Sequence, residues 1–206
     1  MPELWRKIER PEVIPIRLQD ADACYYAREY ISHGGYSASE ANNLIINLKK
    51  PPDKRDTPQW KWKVRAIEQF ANELGQLLPD DISVAAVPTS KRRDDPEYDS
   101  RLDDALNILH GQRNKIMIEA PFEMIESHQS AHTGGERSVE EFYRLLQWRG
   151  FQQVPELIVL VDDVITTGAH FKACQRMIRE YHPEVEIAGA FWAKVVWPEV
   201  DLDIEF

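Results

Sequence analysis

The stretch LIVLVDDVITTGAHF, from Leu157 to Phe171, restricts the choice of folds more than any other part of the sequence. Its unbroken aliphatic run, Leu157–Val161, is typical of a strand buried on both faces, and such strands belong to parallel sheets that helices cover on both sides. Two adjacent acids come next, then small hydroxylated residues and a glycine, and then a helical pattern from about Ala169 to Tyr181. This order of strand, turn and helix predicts an α/β fold.

The rest of the chain repeats the alternation of short apolar runs and helical patterns. We predict strands at 23–31, 82–88, one or two within 114–126, 157–161 and 185–196, and helices at 37–50, 59–78, 100–111, 138–148 and 169–181. The first helix is expected to start with a capping box of Ser37 and Glu40, and the third to end at Gly111. Alternating strands and helices indicate a central, mainly parallel sheet flanked by helices.

Length and composition favour one globular domain. A chain of 206 residues can bury one full core, and 43% hydrophobic with 29% charged residues is ordinary for a soluble protein. We therefore treat residues 1–23 as a lead-in and 24–206 as a single domain. Because the N-terminus has no apolar signal segment and no long apolar run occurs, we expect a cytoplasmic protein without membrane contact.

The charge balance bears on the class of partner. Thirty-five acids against 25 lysines and arginines give a net charge of -10. Such a balance argues against a nucleic acid held by a broad basic face, although it leaves room for a small basic pocket. Cys24 and Cys174 match no zinc-binding spacing, so two reduced, packed thiols are expected. Direct nucleic-acid binding is therefore not expected.

The residues after the aliphatic run suit a phosphorylated sugar. A buried parallel strand brings the residues at its end to the carboxyl edge of the sheet, where open α/β folds bind ligands. Thr166, Thr167 and Gly168 then lead into a helix N-terminus, whose unpaired N–H groups and partial positive charge favour a phosphate. The carboxylates of Asp162 and Asp163 suit hydroxyl groups further along the same ligand, or help to hold Mg²⁺. A phosphate, a diol and a metal together indicate a sugar phosphate.

The segment VLVDDVITTGA closely resembles the 5-phosphoribosyl 1-diphosphate (PRPP) signature of the type I phosphoribosyltransferases. That signature has four aliphatic residues, two acids, two aliphatic residues and a small hydroxylated turn with a glycine. The resemblance implies the fold of that family, and Mg²⁺ as cofactor. It assigns PRPP binding to Asp162, Asp163, Val164, Ile165, Thr166, Thr167, Gly168, Ala169 and His170.

Within the signature, the resemblance divides the roles. Asp162 and Asp163 would bind the ribose 2- and 3-hydroxyls, take part in catalysis, and hold Mg²⁺ indirectly or through those hydroxyls. Thr166, Thr167 and Gly168 would wrap the 5-phosphate. The chain departs from the family at His170, where Thr or Ser is common. Purine-salvage members carry an acid at the position of Thr166, and its absence here counts against a 6-oxopurine acceptor.

Outside the signature, the order of segments is similar to the ComF-like branch of the family. That order is NNLIINLKK, DISVAAVPTSKRR, SHQSAHTGGERS and then the signature, over roughly Asn42 to Ala193. The cysteine-rich zinc module and the RGFN segment that are usual in this branch are missing.

Two further segments supply charged groups for such a ligand. Ser90, Lys91, Arg92 and Arg93 come after a predicted strand, so they should lie at the same sheet edge and are the candidates for binding pyrophosphate. A solvated charge run balanced by nearby aspartates is the alternative, and Arg101 is a further candidate. Residues 127–137 have the glycines and polar residues of a mobile lid, and the resemblance implies that Gln129, His132 and Arg137 close over PRPP, with Arg137 in a catalytic role.

Two functions are compatible with these residues. The first is an enzyme that binds Mg²⁺ and PRPP, transfers the phosphoribosyl group to a nitrogen nucleophile and releases pyrophosphate. The alternative is a non-catalytic sensor or accessory protein that binds PRPP or a nucleotide and acts with a DNA-metabolism partner. The ligand is PRPP or another ribose 5-phosphate compound in both cases, and a homodimer or a partner protein is compatible with either.

Overall fold

The computed structural model describes residues 4–9, 17–127 and 138–197. The strands are β1 (Arg6–Lys7), β2 (Ala23–Ile31), β3 (Ser83–Ala86), β4 (Met117–Glu119), β5 (Phe122–Met124), β6 (Leu146–Trp148), β7 (Leu157–Ile165) and β8 (Glu186–Val196). The helices are α1 (Glu40–Leu48), α2 (Trp60–Leu77), α3 (Arg101–Gln112), α4 (Val139–Leu145) and α5 (Ala169–Tyr181), with a 3₁₀ turn at Pro52–Lys54.

The strands form a central sheet in the order β1-β2-β8-β7-β3-β4. Its pairs are parallel except for β1 with β2, where the short β1 is an antiparallel edge. A separate antiparallel hairpin joins β5 to β6. The predicted fold class, an α/β fold with a mainly parallel sheet flanked by helices, is confirmed.

Two hydrophobic clusters cover the two faces of the sheet. One packs α1, α2 and α3 on the sheet and centres on Phe70 and Trp192, whose stacked ring centroids lie 4.9 Å apart. The other lies beneath α4 and α5 and includes the buried Phe142 and Phe171. Full burial of each such side chain contributes about 1.5–3 kcal/mol, so both helical layers are held firmly against the sheet. None of the helices within the described residues is long and apolar enough to cross a membrane.

Helix α1 starts later than the sequence predicted. Its N-cap is Ser39, whose side chain accepts a hydrogen bond from the Asn42 amide, so the predicted capping box of Ser37 and Glu40 is wrong. The reason is that Asn42 is itself anchored. Its buried side-chain amide accepts from the Ile31 N–H and donates to the Ile31 carbonyl, both at 2.9 Å. This tie to the end of β2 fixes where the helix begins.

Two other helix ends differ from the prediction. Helix α3 continues through Gly111 to Gln112, because its C-cap is Arg113, whose guanidinium bonds Asp80 and the Gly75 and Leu78 carbonyls. Helix α4 ends at Leu145, whereas the prediction ran to residue 148. Residues 146–148 instead pair with β5, because a local helical pattern does not reveal a strand partner more than 20 residues earlier.

Strand β7 is longer than its aliphatic run. It pairs with β8 as far as Ile165, which lies opposite Lys194. The two acids therefore lie inside the strand, whereas the sequence pattern predicted them after its end. This extension controls the direction in which each carboxylate points.

Candidate functional site

The connection between β7 and α5 is a tight turn formed by Thr166, Thr167 and Gly168. Gly168 is the N-cap of α5 and has φ 80°, a left-handed conformation that glycine adopts without strain. A Cβ at this position would lie 3.2 Å from Leu18 Cδ2. No acidic residue occupies the first turn of α5, so the positive dipole end of the helix lies next to the turn without a carboxylate of that helix turn to offset it. The predicted helix start at Ala169 is confirmed.

A segment before β2 lies against this turn. The Arg17 amide donates to the Thr167 carbonyl at 2.5 Å, and Leu18 packs beside Gly168. Further along, buried Asp22 pairs with Lys172 of α5 at 2.9 Å and accepts from the Gln175 side chain. Burial favours the protonated carboxyl, but hydrogen bonds from Gln19, Gln175 and Lys172 outweigh it and lower the pKa of Asp22. No sequence pattern indicated this contact, since it joins residues about 150 positions apart.

The pleat of β7 directs the two neighbouring acids to opposite faces of the sheet. The alternation is visible in the preceding residues, since Leu160 packs beneath α5 and Val161 beneath α1–α3. Burial and the nearby charge of Asp162 raise the pKa of the Cys174 thiol on α5, so this carboxylate lies on the α5 side. Asp163 instead contacts side chains from α1 and α3. Sequence adjacency therefore does not give the two acids the same surroundings.

Asp163 is the buried member of the pair, at 3% exposure. Arg101 Nε donates to its Oδ2 at 2.6 Å, and Lys49 Nζ lies 3.2 Å from its Oδ1. Burial alone would raise the pKa of Asp163, but the two cations reverse this and hold it well below its usual range. Asp163 is thus a fixed anion with both oxygens engaged.

Asp162 is half-buried and more available. Its Oδ1 accepts the Asp163 N–H at 2.8 Å, and among the described residues nothing donates to its other oxygen. Burial and the charge of Asp163 raise the pKa of Asp162 to about 7. The acid pair therefore offers a ligand one carboxylate, which changes its protonation state near neutral pH.

Asp163 is linked through Arg101 to two further charged residues, the half-buried Asp99 and the buried Lys63. Asp99 Oδ2 accepts from Arg101 at 3.0 Å and from Lys63 at 2.8 Å. The Lys63 ammonium, in a residue only 1% exposed, also donates to the Leu48 and Lys50 carbonyls. Burial lowers the pKa of Lys63, against the opposing attraction of Asp99. The sequence makes Arg101 a candidate, but it does not single out Lys49, Lys63 or Asp99, because each belongs to a different local element.

The candidate pyrophosphate residues lie in the loop after β3. Since β3 pairs with β7, residues 90–93 are at the same edge of the sheet as the acid pair. Each basic side chain has an acidic neighbour: Lys91 pairs with Glu97 at 2.5 Å, Arg92 with Asp94 at 2.7 Å and Arg93 with Asp103 at 2.9 Å. Lys91 and Arg93 also line a pocket between the ends of β3, β4 and α3. Their role in pyrophosphate binding stays a prediction.

The remaining signature residues have mixed surroundings. Ile165 and Ala169 are buried, Val164 is half-buried, and Thr166 is exposed. The His170 ring stacks on Phe142 of α4, with centroids 3.8 Å apart and planes at 11°. This contact holds the imidazole against α4, and it supports a structural role for His170 in packing α5 on α4.

The lid expected at residues 127–137 lies outside the described residues from position 128 onward, and with it Gln129, His132 and Arg137. Its two ends are described. The Ile125 amide donates to the Leu145 carbonyl at 2.9 Å, and Ser127 Oγ accepts from the Arg92 amide at 3.0 Å. The first end of the segment therefore lies beside the loop after β3. At the other end, Ser138 and Glu141 form a capping box that starts α4.

Metal binding has limited support from the side chains alone. Among residues 4–9, 17–127 and 138–197, no three carboxylates, histidines or cysteines gather in a way that would hold a metal ion. In the acid pair, Lys49 and Arg101 already neutralise Asp163. The donor set fits a Mg²⁺ ion that takes most of its oxygen ligands from a bound phosphate compound and water, with Asp162 as the available protein carboxylate.

Comparison with known proteins gives structural overlaps only. No family model and no curated protein matches the chain. A hypoxanthine phosphoribosyltransferase from Staphylococcus aureus is 14% identical, with a TM-score of 0.39 over 65% of this chain and 74% of that one. A xanthine-guanine-hypoxanthine phosphoribosyltransferase from Helicobacter pylori is 8% identical, with a TM-score of 0.36 over 67% and 86%. A hypothetical protein from Neisseria gonorrhoeae with bound ppGpp is 11% identical, with a TM-score of 0.30 over 68% and 85%. Because these TM-scores lie below 0.5, a function for this chain has to rest on the residues of its site.

Proposed function

We propose that the chain binds PRPP together with Mg²⁺ and transfers its phosphoribosyl group to a nitrogen nucleophile, releasing pyrophosphate. One observation carries this proposal. A half-buried carboxylate, Asp162, stands at the carboxyl edge of the sheet and is followed within six residues by a left-handed glycine at a helix N-terminus. This arrangement offers an acceptor for sugar hydroxyls next to donors for a phosphate.

Different residues of the site bind the phosphate and the ribose of the ligand. The 5-phosphate lies on the N–H groups of the turn and the first turn of α5, with the hydroxyls of Thr166 and Thr167 as further donors. Asp162 accepts hydrogen bonds from the ribose hydroxyls. Asp163 holds the strand end and the two cations in place, and its negative charge remains fixed whether or not a ligand is bound. We therefore assign direct ligand contact to Asp162 and a supporting electrostatic role to Asp163.

The transfer reaction breaks the bond from ribose C1 to the diphosphate oxygen, whose electron pair leaves with pyrophosphate. A nitrogen lone pair forms the new bond to C1, and the proton that the nucleophile loses passes to the departing pyrophosphate or to solvent. Positive charge develops on the ribose as the bond breaks, and the carboxylate of Asp162 stabilises it electrostatically. Mg²⁺, when bound with the substrate, neutralises part of the diphosphate charge. We assign the diphosphate to the loop of Ser90, Lys91, Arg92 and Arg93, with Arg137 of the lid as a further catalytic cation.

The same site also supports a second candidate, a protein that binds PRPP or a nucleotide without turnover, as the ComF-like order of segments allows. Thr166 favours it, because this exposed residue stands where a purine-salvage enzyme carries its acid, and a hydroxyl is a poor proton acceptor. A pyrophosphate-release assay with a panel of nucleobases and amines separates the candidates. Release with any acceptor supports the enzyme, whereas PRPP binding without release supports the sensor or accessory protein.

Calorimetric titration with PRPP, with and without Mg²⁺, tests the binding site shared by both candidates. Ribose 5-phosphate and AMP serve as comparison ligands. We expect Mg²⁺-dependent PRPP binding that Asp162→Asn weakens by at least about tenfold, the effect of losing a charged hydrogen-bond acceptor. Absence of binding by all these ligands would overturn the proposal.

A further inference from the structure

Two cations contact Asp163, and they differ in their exposure to solvent. Arg101 approaches at 2.6 Å and is 14% exposed in its side chain, so this pair is short and enclosed. Lys49 lies at 3.2 Å and its side chain is 42% exposed. Arg101 contacts Asp163 from the enclosed side, whereas Lys49 reaches it from the solvent side. The Lys49 ammonium can therefore turn to another anion without leaving a buried charge unpaired.

The position of Lys49 is built into the fold. It is the C-cap of α1, and its own amide bonds the Ile45 and Asn47 carbonyls. The buried Lys63 ammonium donates to the carbonyls on either side of it, those of Leu48 at 2.5 Å and Lys50 at 2.8 Å. Burying a lysine is expensive unless its donors are satisfied, so this clamp fixes the end of α1 firmly. The base of the Lys49 side chain is thereby held beside the acid pair.

Lys49 and the phosphate-binding turn lie on opposite sides of the acid pair. The turn and α5 belong to the face that Asp162 points toward, whereas Lys49 meets Asp163 on the face that carries α1 and α3. A ribose held at Asp162 with its 5-phosphate on the turn would have its other end directed away from α5. A second anionic group on that sugar would approach Lys49.

We infer that Lys49 is an anion-binding and specificity-determining residue, which exchanges its contact with Asp163 for the diphosphate of a doubly anionic ribose ligand. The inference rests on the proposed function, because it assumes that the 5-phosphate binds at the turn. It adds a residue from α1 to the ligand contacts, and it explains how the site distinguishes a sugar with anions at both ends from one with a single phosphate. Ribose 5-phosphate has no group that reaches Lys49.

The test compares Lys49→Met with Lys50→Met. Both substitutions remove one lysine charge at the same helix end, but the Lys50 ammonium contacts only Asn47 among the described residues. Each purified variant is titrated with PRPP, ribose 5-phosphate and inorganic pyrophosphate in the presence of Mg²⁺. We expect Lys49→Met to weaken PRPP and pyrophosphate about tenfold to a hundredfold, with ribose 5-phosphate changed less than about twofold. Lys50→Met should leave all three affinities near those of the unmodified protein.

The pattern of losses separates the outcomes. If Lys49 only neutralises Asp163, the substitution disturbs the acid pair and weakens PRPP and ribose 5-phosphate alike, which would overturn the inference. Equal affinities in Lys49→Met and Lys50→Met would overturn it too, while leaving the proposed function standing. A failure of the unmodified protein to bind any of the three ligands would instead remove the proposed function, and this inference with it.

Discussion

The two neighbouring aspartates should respond in opposite ways to the same substitution. Asp163→Asn removes the negative charge from a side chain that Arg101 and Lys49 both contact. Breaking a buried ion pair by removing one partner typically destabilises a protein by about 3–5 kcal/mol. Because Arg101 keeps its contact with Asp99 and Lys49 reaches solvent, we expect the lower end of that range, about 3 kcal/mol.

Asp162→Asn should not destabilise the fold at pH 8. The pKa of Asp162 is raised to about 7, so its ionised form is less favourable in the folded protein than in the unfolded chain. The stability cost of ionising it is therefore present above pH 7 and absent at low pH. A neutral amide removes the repulsion from Asp163 while keeping an oxygen that can accept the Asp163 N–H. The expected result is an unchanged or higher free energy of unfolding.

Urea denaturation followed by circular dichroism measures this difference. A loss of about 3 kcal/mol corresponds to a midpoint lower by roughly 1–3 M urea for Asp163→Asn. Asp162→Asn should keep or raise the original midpoint but lose PRPP affinity. Equal midpoints for the two variants at pH 8 would refute the assignment of opposite surroundings. A stable Asp163→Asn variant with lost PRPP binding would reverse the roles that we give to the two acids.

The geometry of the site makes two further predictions. PRPP affinity should rise between pH 6 and pH 8, because the raised pKa of Asp162 leaves this carboxyl partly protonated at the lower pH. Calorimetric titrations in two buffers of different ionisation enthalpy should show that protons are released on binding. Asp162→Asn should abolish both the pH dependence and the proton release. Gly168→Ala should lower the free energy of unfolding by about 1–2 kcal/mol because of its φ of 80°, and it should weaken phosphate binding. Gly111→Ala lies inside α3, where a Cβ has open space, so it should raise the free energy of unfolding by about 0.5–1 kcal/mol. Thermal or chemical unfolding measures both changes. If both glycine variants lose stability equally, the left-handed turn is not the cause.

The elements that were predicted correctly are those specified by local pattern. The bounds of β2 and α5 agree with the prediction. Aromatic and β-branched residues are a strong local signal for the strand β2. An amphipathic pattern that follows a glycine is an equally strong local signal for the helix α5. The errors at Ser37, Gly111 and residues 146–148 have one physical cause. In each case a partner outside the element, namely Ile31, Asp80 or β5, decides where the element starts or ends.

In the candidate site too, the features set by local sequence were predictable and those set by tertiary contacts were not. The turn and the acid pair are consecutive in sequence, so their placement at the sheet edge could be predicted from the strand pattern. The partners of Asp163 come from the end of α1 and the start of α3, and Lys63 of α2 joins the cluster through Asp99. Nothing in the local sequence of Lys49, Lys63 or Asp99 indicates a buried ion pair. A basic residue at a helix end more often faces solvent. Only the packing of these helices on one face of the sheet brings the charges together.

The charge count of this cluster explains why it can be buried near a polyanionic ligand. Lys49, Lys63 and Arg101 balance Asp99, Asp162 and Asp163, so the group is electrically neutral when every member is ionised. Protonation of Asp162 near pH 7 leaves the cluster with one excess positive charge. This charge is least unfavourable on Lys49, because the Lys49 side chain is partly exposed to solvent. An anion that approaches Lys49 and a hydroxyl that binds Asp162 therefore both affect the protonation equilibrium of the cluster. The anion favours the protonated cluster, whereas Mg²⁺ and the ribose hydroxyls favour the ionised one, so the pH at which PRPP binds best should shift when Lys49 is replaced by methionine.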